Sequence, residues 1–385
     1  SRRFDPEGFF NTGSNVNNSF TFSTGTKRYQ SYFSAATTNA RNILPNSGYN
    51  RYNFTFRNTF SFLDEKLTAD VGASYILQDN KNMISSGQYF NPLPALYLFP
   101  RGDDFDNVRM YQIWDESRNL YTQTWTYGSG DMSFQNPYWI MNKMINETKK
   151  RRYMLSASLK YDVTKWLNVT GRVKVDNADM DITNKRYAGT DTNFAGEKGL
   201  YNIEKRNDRQ IYADAIANVD LYFADDYHLT ANVGGSIKDV QMDLMGWGGD
   251  LRKIPNFFSI TNISTTSYKE REDGSHVQSQ SVFANVELSW KSMLYLTVTG
   301  RNDWESALAF SKYKSFFYPS VGLSAVISEM VEPPEWFSSL KLRASYSAVG
   351  SSYAAYLTKH YSPYKGHTQQ RGTPHSLPKD QHTKD

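Results

Sequence analysis

The stretch Leu167-Asn-Val-Thr-Gly-Arg-Val-Lys-Val-Asp176 has apolar or small residues at every second position and mostly polar or charged residues between them. The segment Leu340-Lys-Leu-Arg-Ala-Ser-Tyr-Ser347 repeats this pattern. Because successive residues of a strand point to opposite faces, each segment has one apolar face and one polar face. Strands of about ten residues that are polar along a whole face are typical of a transmembrane β-barrel with a hydrated lumen.

The composition agrees with this interpretation. Hydrophobic residues make up only 39% of the 385 residues, which would also suit a disordered chain. Aromatic residues nevertheless reach 15%, and disordered chains are poor in them. A barrel accommodates both values, because half of each strand faces water and aromatic girdles mark the two membrane interfaces. No apolar run approaches the roughly 18 residues of a membrane-spanning helix.

Matching to a period of two predicts an all-β chain with about twelve strands. We place them near residues 15–24, 27–37, 50–62, 66–79, 150–162, 166–177, 208–223, 227–239, 276–289, 292–302, 315–328 and 338–348. Short connections near 63–66, 162–165, 224–227 and 290–292, with a somewhat longer one at 329–338, alternate with long ones near 80–149, 178–207, 240–275 and 303–314. In outer-membrane barrels the periplasmic turns are short and the extracellular loops are long.

Several kinds of chemistry are not predicted. The chain has no cysteine, which excludes disulfides and zinc–thiolate sites, and its net charge of +4 does not predict a nucleic-acid partner. The motifs G-x-S-x-G and H-E-x-x-H and the phosphate-binding loop do not occur. We therefore predict no enzyme activity and no cofactor. Glycine-rich residues 246–250 are interpreted as a loop tip and residues 270–275 as a turn.

The long loop at 80–149 is rich in aromatic residues among amides and aspartates. Such surfaces can dock a glycan or another protein. The alternative is that the aromatic residues pack the loop onto itself and onto the barrel rim. Our candidates for ligand-facing or partner-facing side chains are Trp114, Trp125, Tyr127 and Trp139 in this loop and Trp247 in the later glycine-rich segment.

Four segments carry a resemblance to a known family. They are residues 38–58, residues 91–100 (Asn-Pro-Leu-Pro-Ala-Leu-Tyr-Leu-Phe-Pro), residues 318–324 (Tyr-Pro-Ser-Val-Gly-Leu-Ser) and residues 340–350. Together they resemble the SusC/RagA family of TonB-linked outer-membrane transporters, over roughly residues 8–352. The resemblance implies a 22-stranded antiparallel barrel in the outer membrane, closed by an N-terminal plug and capped by a SusD-like surface lipoprotein. It also implies uptake of oligosaccharides or peptides, powered through TonB.

This resemblance sets the expected domain organisation. Residues 1–14 would belong to an extracellular loop, residues 15–352 would form a partial barrel in contact with outer-membrane lipid, and residues 353–385 would be a polar, disordered or non-native tail. The strand count falls short of a closed barrel, so we expect further strands on both sides. The tail histidines His360, His367, His375 and His382 could suggest a metal site, but we favour disorder because prolines interrupt the segment.

Two other classes of protein remain open. A soluble, secreted β-sandwich or solenoid that binds carbohydrate would also show alternation, with the apolar face turned into a core. Sandwich strands usually have five or six residues, whereas these run to about ten or more. A passive porin or adhesin barrel is a third, weaker possibility.

Overall fold

Twelve strands form one antiparallel sheet, as the alternation predicts. The computed structural model describes residues 5–125, 127, 134–331 and 339–350. Their strands are β1 (Ser14–Gly25), β2 (Tyr29–Arg41), β3 (Gly48–Phe62), β4 (Leu67–Lys81), β5 (Gln112–Asp115), β6 (Leu120–Gln123), β7 (Met144–Asp162), β8 (Leu167–Tyr187), β9 (Gly199–Phe223), β10 (Tyr227–Asp250), β11 (Lys269–Trp290), β12 (Leu294–Glu305), β13 (Ser315–Val326) and β14 (Lys341–Ser347). Strands β5 and β6 form a separate hairpin within the first long loop, and the other twelve pair in chain order.

Helices are few and short. They are α1 (Pro92–Tyr97), α2 (Asp106–Arg109), α3 (Pro137–Lys143), α4 (Ile327–Met330) and three 3-10 turns at Pro6–Phe9, Ile260–Asn262 and Ser306–Leu308. Within the part of the chain that the structure describes, no helix has the length and apolar character needed to cross a membrane.

The strand register sorts residues into two faces. One cross-strand row contains Val71, Ala157, Val173, Ala213 and Ile237, and it defines the apolar face of the sheet. The residues one position away form a row on the opposite side, which we call the polar face: Asp70, Ser158, Arg172, Asp214, Ser236, Ser281 and Asp303. The period-two pattern of the sequence is thus carried across seven neighbouring strands.

Burial on the two faces is the reverse of that in a soluble sheet protein. On the apolar face, Val173 is 49% exposed, while on the polar face the side chain of Asp214 is 0% exposed. A sandwich would cover its apolar face with a second sheet. The main sheet pairs with no second sheet among the described residues, and its apolar face is left uncovered. This is the arrangement of a barrel wall whose apolar side meets lipid and whose polar side lines a lumen.

Tight turns join the strands at one end of the sheet. Ala224 and Asp225 have φ values of 49° and 53°, and Lys291 and Ser292 have 50° and 56°. Two consecutive residues at positive φ match the right-handed twist of a hairpin, although glycine or asparagine usually fills such positions. Because these turns contain neither, the flanking alternation locates them better than their own composition does.

At the other end of the sheet the strands are longer than predicted. β8, β9, β10 and β11 contain 21, 25, 24 and 22 residues. In β9 the apolar alternation stops at Ile211, yet the strand already begins at Gly199. Both faces of residues 199–210 are largely polar, so the extension carries no period-two signal. We infer that it projects beyond the apolar band toward the outside.

The two interpretations of glycine-rich and acidic segments as loops are wrong. Residues 246–250 continue β10 and pair with β9, residues 246–248 pair with β11 as well, and residues 270–275 lie within β11. Gly248 allows β9 and β10 to approach closely here, since a β-carbon on Gly248 would lie 1.9 Å from Asn202 Oδ1. In addition, Gly249 adopts a φ of +153°, which favours glycine.

The described sheet is open. β1 and β14 each pair on one side only within the described residues. The predicted tail at 353–385, with its four histidines, lies outside those residues, as does most of the predicted connection at 329–338.

Candidate functional site

The first long loop folds into a compact structure at the long-loop end of the sheet. We define this loop module as the described residues of 82–143 (82–125, 127 and 134–143) together with the segments 5–12, 42–47 and 188–198 that pack on it. Its hydrophobic core combines residues distant in the chain: Phe9, Leu44, Leu96, Phe99, Phe105, Val108, Trp139, Ile140, Met141 and Met144. The loop is therefore an ordered element of the rim.

Asn82 joins the module to the sheet at the end of β4. Its Nδ2 donates to Asn46 O at 3.0 Å and to Met141 O at 2.8 Å, while its Oδ1 accepts from Asn146 N at 2.9 Å. One side chain thereby ties the β2–β3 loop, the end of α3 and the start of β7 together. Sequence analysis did not single out this residue, because an asparagine after a strand usually indicates only a turn.

Asn136 holds the start of α3. It is fully buried, its Nδ2 donates to Val108 O at 2.8 Å and to Thr124 O at 3.1 Å, and its Oδ1 accepts from Tyr138 N at 2.9 Å. The last contact is an N-cap, which satisfies a backbone N–H that the helix cannot.

Replacing Asn136 by alanine is expected to destabilise the module by about 1–3 kcal/mol, because the buried Val108 carbonyl and the partly buried Thr124 carbonyl lose their donor. Hydrogen exchange of residues 105–143 should rise, while exchange in β9 and β10 should stay unchanged. The matched control is Asn193→Ala, in an exposed turn of segment 188–198. Equal effects of the two substitutions would contradict the assigned role of Asn136.

The expectation that Trp139 faces a ligand or partner is corrected by its burial. Trp139 is 0% exposed, and its Nε1 donates to Thr190 Oγ1 at 3.0 Å. Gly189 lies directly against it, since a β-carbon there would be 3.1 Å from the indole ring. Trp139 thus takes the alternative role, packing the loop onto itself and onto segment 188–198.

Trp125 and Tyr127 are half-buried at the edge of the core. Their rings meet edge to face with centroids 5.2 Å apart, and Tyr127 also packs against Phe99 at 5.0 Å. The Tyr127 hydroxyl donates to the carboxylate of Asp103. Each ring keeps part of its surface accessible, so their prediction as ligand-facing side chains stays a prediction.

Trp114 is the most exposed of the five predicted residues. It lies on β5 opposite Tyr121 on β6, with the two rings edge to face at 5.2 Å, and it is 46% exposed. The hairpin presents this pair at the surface of the module. Further exposed apolar side chains on the module were not among the predicted site residues, and they include Tyr97, Leu98, Met110, Ile113 and Tyr121.

Trp247 lies apart from the other four. It is half-buried near the end of β10, opposite Ile203 on β9 and Glu270 on β11. The alternation of β10 puts Trp247 on the same side of the sheet as Ile237, which lies ten residues earlier in the strand. It therefore does not belong to the module or to the polar face.

Electrostatics in and around the module follow burial and hydrogen bonding. A hydrogen bond from the Ser117 hydroxyl lowers the pKa of Asp115 in the β5–β6 turn. Desolvation lowers the pKa of Lys143, whose ammonium lies 4.9 Å from the centre of the Tyr187 ring. Desolvation also lowers the pKa of Arg186, which stacks on Phe90 at 4.4 Å. These two cation–ring contacts hold the module in place on β8.

The polar face carries arginine–aspartate pairs. Arg172 donates to both carboxylate oxygens of Asp214, at 2.9 and 2.8 Å. Arg152 pairs with Asp176 in the same bidentate manner, and Arg57 Nε lies 2.7 Å from Asp70 Oδ2. Planar guanidinium groups favour such pairing. The polar face is therefore charged, but most of its negative charges are paired with positive charges on the same face.

Comparisons with known proteins agree with this architecture. A family model described as TonB dependent receptor-like, beta-barrel, matches residues 99–369. TonB-dependent receptor P26 of Formosa agariphila is 24% identical over 340 residues, which cover 85% of this chain and 32% of that protein.

Solved structures show the same fold. The chain is similar to the RagAB peptide transporter, with a TM-score of 0.70 and 16% identity, covering 86% of this chain and 36% of that one. The "closed-closed" state of the RagAB peptide importer gives a TM-score of 0.71 and 16% identity, with 88% and 37% covered. The chain thus spans about a third of the length of the relatives it matches.

Proposed function

The chain belongs to the TonB-dependent receptor β-barrel family, and on this premise we propose that it forms part of the wall of a nutrient importer. The protein resides in the bacterial outer membrane. The observation that carries the proposal is the two-faced sheet, with an apolar face suited to lipid and a charged face suited to a hydrated lumen. The folded module at the long-loop end would be the extracellular part that meets incoming solutes.

Peptides or oligosaccharides are the proposed solutes. Half-buried aromatic rings beside amides and carboxylates, such as Trp125, Tyr127 and Asp103, offer stacking and hydrogen bonding to such chains. The chain would conduct the solute without cleaving it, and energy would come through TonB acting on parts of the longer protein.

Import is tested in the source bacterium by deleting and restoring the full-length gene. Cells receive defined pools of short peptides and of oligosaccharides, and depletion from the medium is followed by mass spectrometry. Deletion should abolish depletion of one pool, and an uncoupler of the proton gradient should do the same. Unchanged depletion in the deletion strain would refute import. Recovery of shortened solute from a cell-free preparation of the purified protein would refute the non-catalytic role.

A SusD-like surface lipoprotein is the proposed partner of the module. Exposed apolar side chains at Tyr97, Leu98 and the Trp114–Tyr121 pair are the kind of surface that protein interfaces bury.

Replacing both Trp114 and Tyr121 by alanine is expected to weaken lipoprotein capture by at least about tenfold, because central aromatic residues carry much of an interface's free energy. Co-purification of the lipoprotein with the full-length receptor measures this. Tyr222→Ala is the matched control, since Tyr222 is 74% exposed but lies beside the short turn after β9. Capture that survives the double substitution would remove this surface from the interface.

A further inference from the structure

A hollow of about 680 Å³ lies on the polar face between β3 and β9. Its floor is built from small side chains, and a β-carbon on Gly72 would lie 2.8 Å from Ser156 Oγ. Longer charged side chains surround this floor: Arg57, Asp70, Arg172, Lys174 and Asp176. The small floor leaves space above it that water or a polar ligand can fill.

The charges around the hollow do not balance. Asp70 is paired with Arg57, Asp176 with Arg152, and Asp214, directly beside the hollow, with Arg172. Each of these carboxylates therefore already has a guanidinium partner. Among the described residues, Lys174 forms no ion pair, and its side chain is exposed.

A second lysine extends this positive region onto β10. In the register of the sheet, Tyr212 on β9 lies between Lys174 on β8 and Lys238 on β10. Because neighbouring strands are about 4.8 Å apart, the two lysine backbones are separated by about 10 Å. Lys238 is also exposed, and it too has no ion pair within the described ranges.

We propose that Lys174 and Lys238 form a carboxylate-binding site on the lumen wall, with Tyr212 between them. Flexible ammonium groups at this separation can bind one carboxylate together or two carboxylates separately, in charge-assisted hydrogen bonds. The carboxylate comes from a transported solute or from an acidic side chain elsewhere in the longer protein. The inference rests on the proposed function in one respect, because the polar face must line a solvated lumen.

Protection from amine acetylation tests the site in the full-length protein, purified in detergent. The probe is glutarate, whose two carboxylates can reach both lysines, and the uncharged comparison is glutaramide at matched ionic strength. Mass spectrometry reports the acetylation rate of each lysine. Lys160 is the internal control, because it lies on the polar face of β7 but pairs with Asp162 at 3.0 Å.

The site predicts saturable protection of Lys174 and Lys238 by glutarate, reaching about tenfold at nine times the midpoint concentration. Lys160 should not be protected, and glutaramide should have no effect. Lys238→Gln should raise the glutarate concentration that half-protects Lys174 by about tenfold, since one charged hydrogen bond is lost. Lys160→Gln should leave that concentration unchanged.

Carbodiimide cross-linking shows whether the bound carboxylate belongs to an acidic side chain of the longer protein rather than to a solute. If an acidic side chain of the same polypeptide occupies the site, both lysines resist acetylation without glutarate. Carbodiimide then joins their amines, with net loss of water, to a carboxylate outside this sheet. Three results would each overturn the proposal. The first is that Lys174 and Lys238 react freely and glutarate does not protect them. The second is that glutarate protects them no more than Lys160, and the third is that they are unreactive but form no cross-link. None of these readouts requires import, so failure of the proposed function is recognised separately.

Discussion

Replacing Trp139 by alanine is expected to destabilise the loop module by about 3–5 kcal/mol, the usual cost of removing a fully buried large aromatic side chain. The indole is 0% exposed and lies at the centre of a core that joins Phe9, Leu44 and α3. The substitution also leaves Thr190 Oγ1 without its 3.0 Å contact. Loss of this core should open the module while leaving the sheet intact.

Hydrogen exchange on the full-length protein in detergent measures the effect locally. Residues 92–143 and 188–198 should lose protection, and β8 to β12 should keep theirs. Trp114→Ala is the matched control, because it removes the same side chain from an exposed hairpin and should change stability by only about 0.5 kcal/mol. Equal loss of protection in both variants would show that Trp139 does not hold the core.

Replacing Val173 by arginine is expected to cost about 2–4 kcal/mol of barrel stability in a lipid bilayer, because the charge would face hydrocarbon near the middle of β8. Val173 lies on the apolar face between Ala157 and Ala213, and it is 49% exposed where no lipid is present.

Thr170→Arg is the matched substitution on the other face. Thr170 lies three residues away, between Lys160 and Ile216 in the register, and its side chain points to the lumen. Its cost should be far smaller, because water can solvate the new charge. Denaturant unfolding of the full-length barrel in phospholipid vesicles compares the two variants. Equal costs would mean that the faces are assigned wrongly.

The strands within the apolar band were predictable because their pattern is local. β3, β4, β12 and β13 begin and end within four residues of the predicted bounds. The extensions of β9 and β11 were not predictable, because both faces of residues 199–210 and 269–275 are largely polar. The extensions of β8 and β10 do continue an alternation, through Ile182 and Leu244, which the predicted bounds left out. Residues 246–250 illustrate the limit, since three glycines normally indicate a loop, and only pairing with β9 along the whole segment and with β11 up to Gly248 makes them a strand.

The candidate site was predictable only in part. The richness of the loop in aromatic residues was visible, but burial separates Trp139 from Trp114, and burial depends on contacts with Phe9 and Leu44, far away in the chain. Asn82 and Asn136 gave no signal, since their partners are backbone groups that only the folded chain brings to them.

The amino-acid sequence by itself determined the number of strands in the main sheet, the short turns and the two faces of that sheet, because side-chain direction alternates along any extended chain. The tertiary structure alone decided which groups meet across the strands. Arg172 and Asp214 are 42 residues apart, and only the register pairs them. Among the described residues, the same register leaves Lys174 and Lys238 beside Tyr212 without an ion pair of their own, because hydrogen bonding between backbones, rather than the charge pattern along the chain, sets which side chains are neighbours.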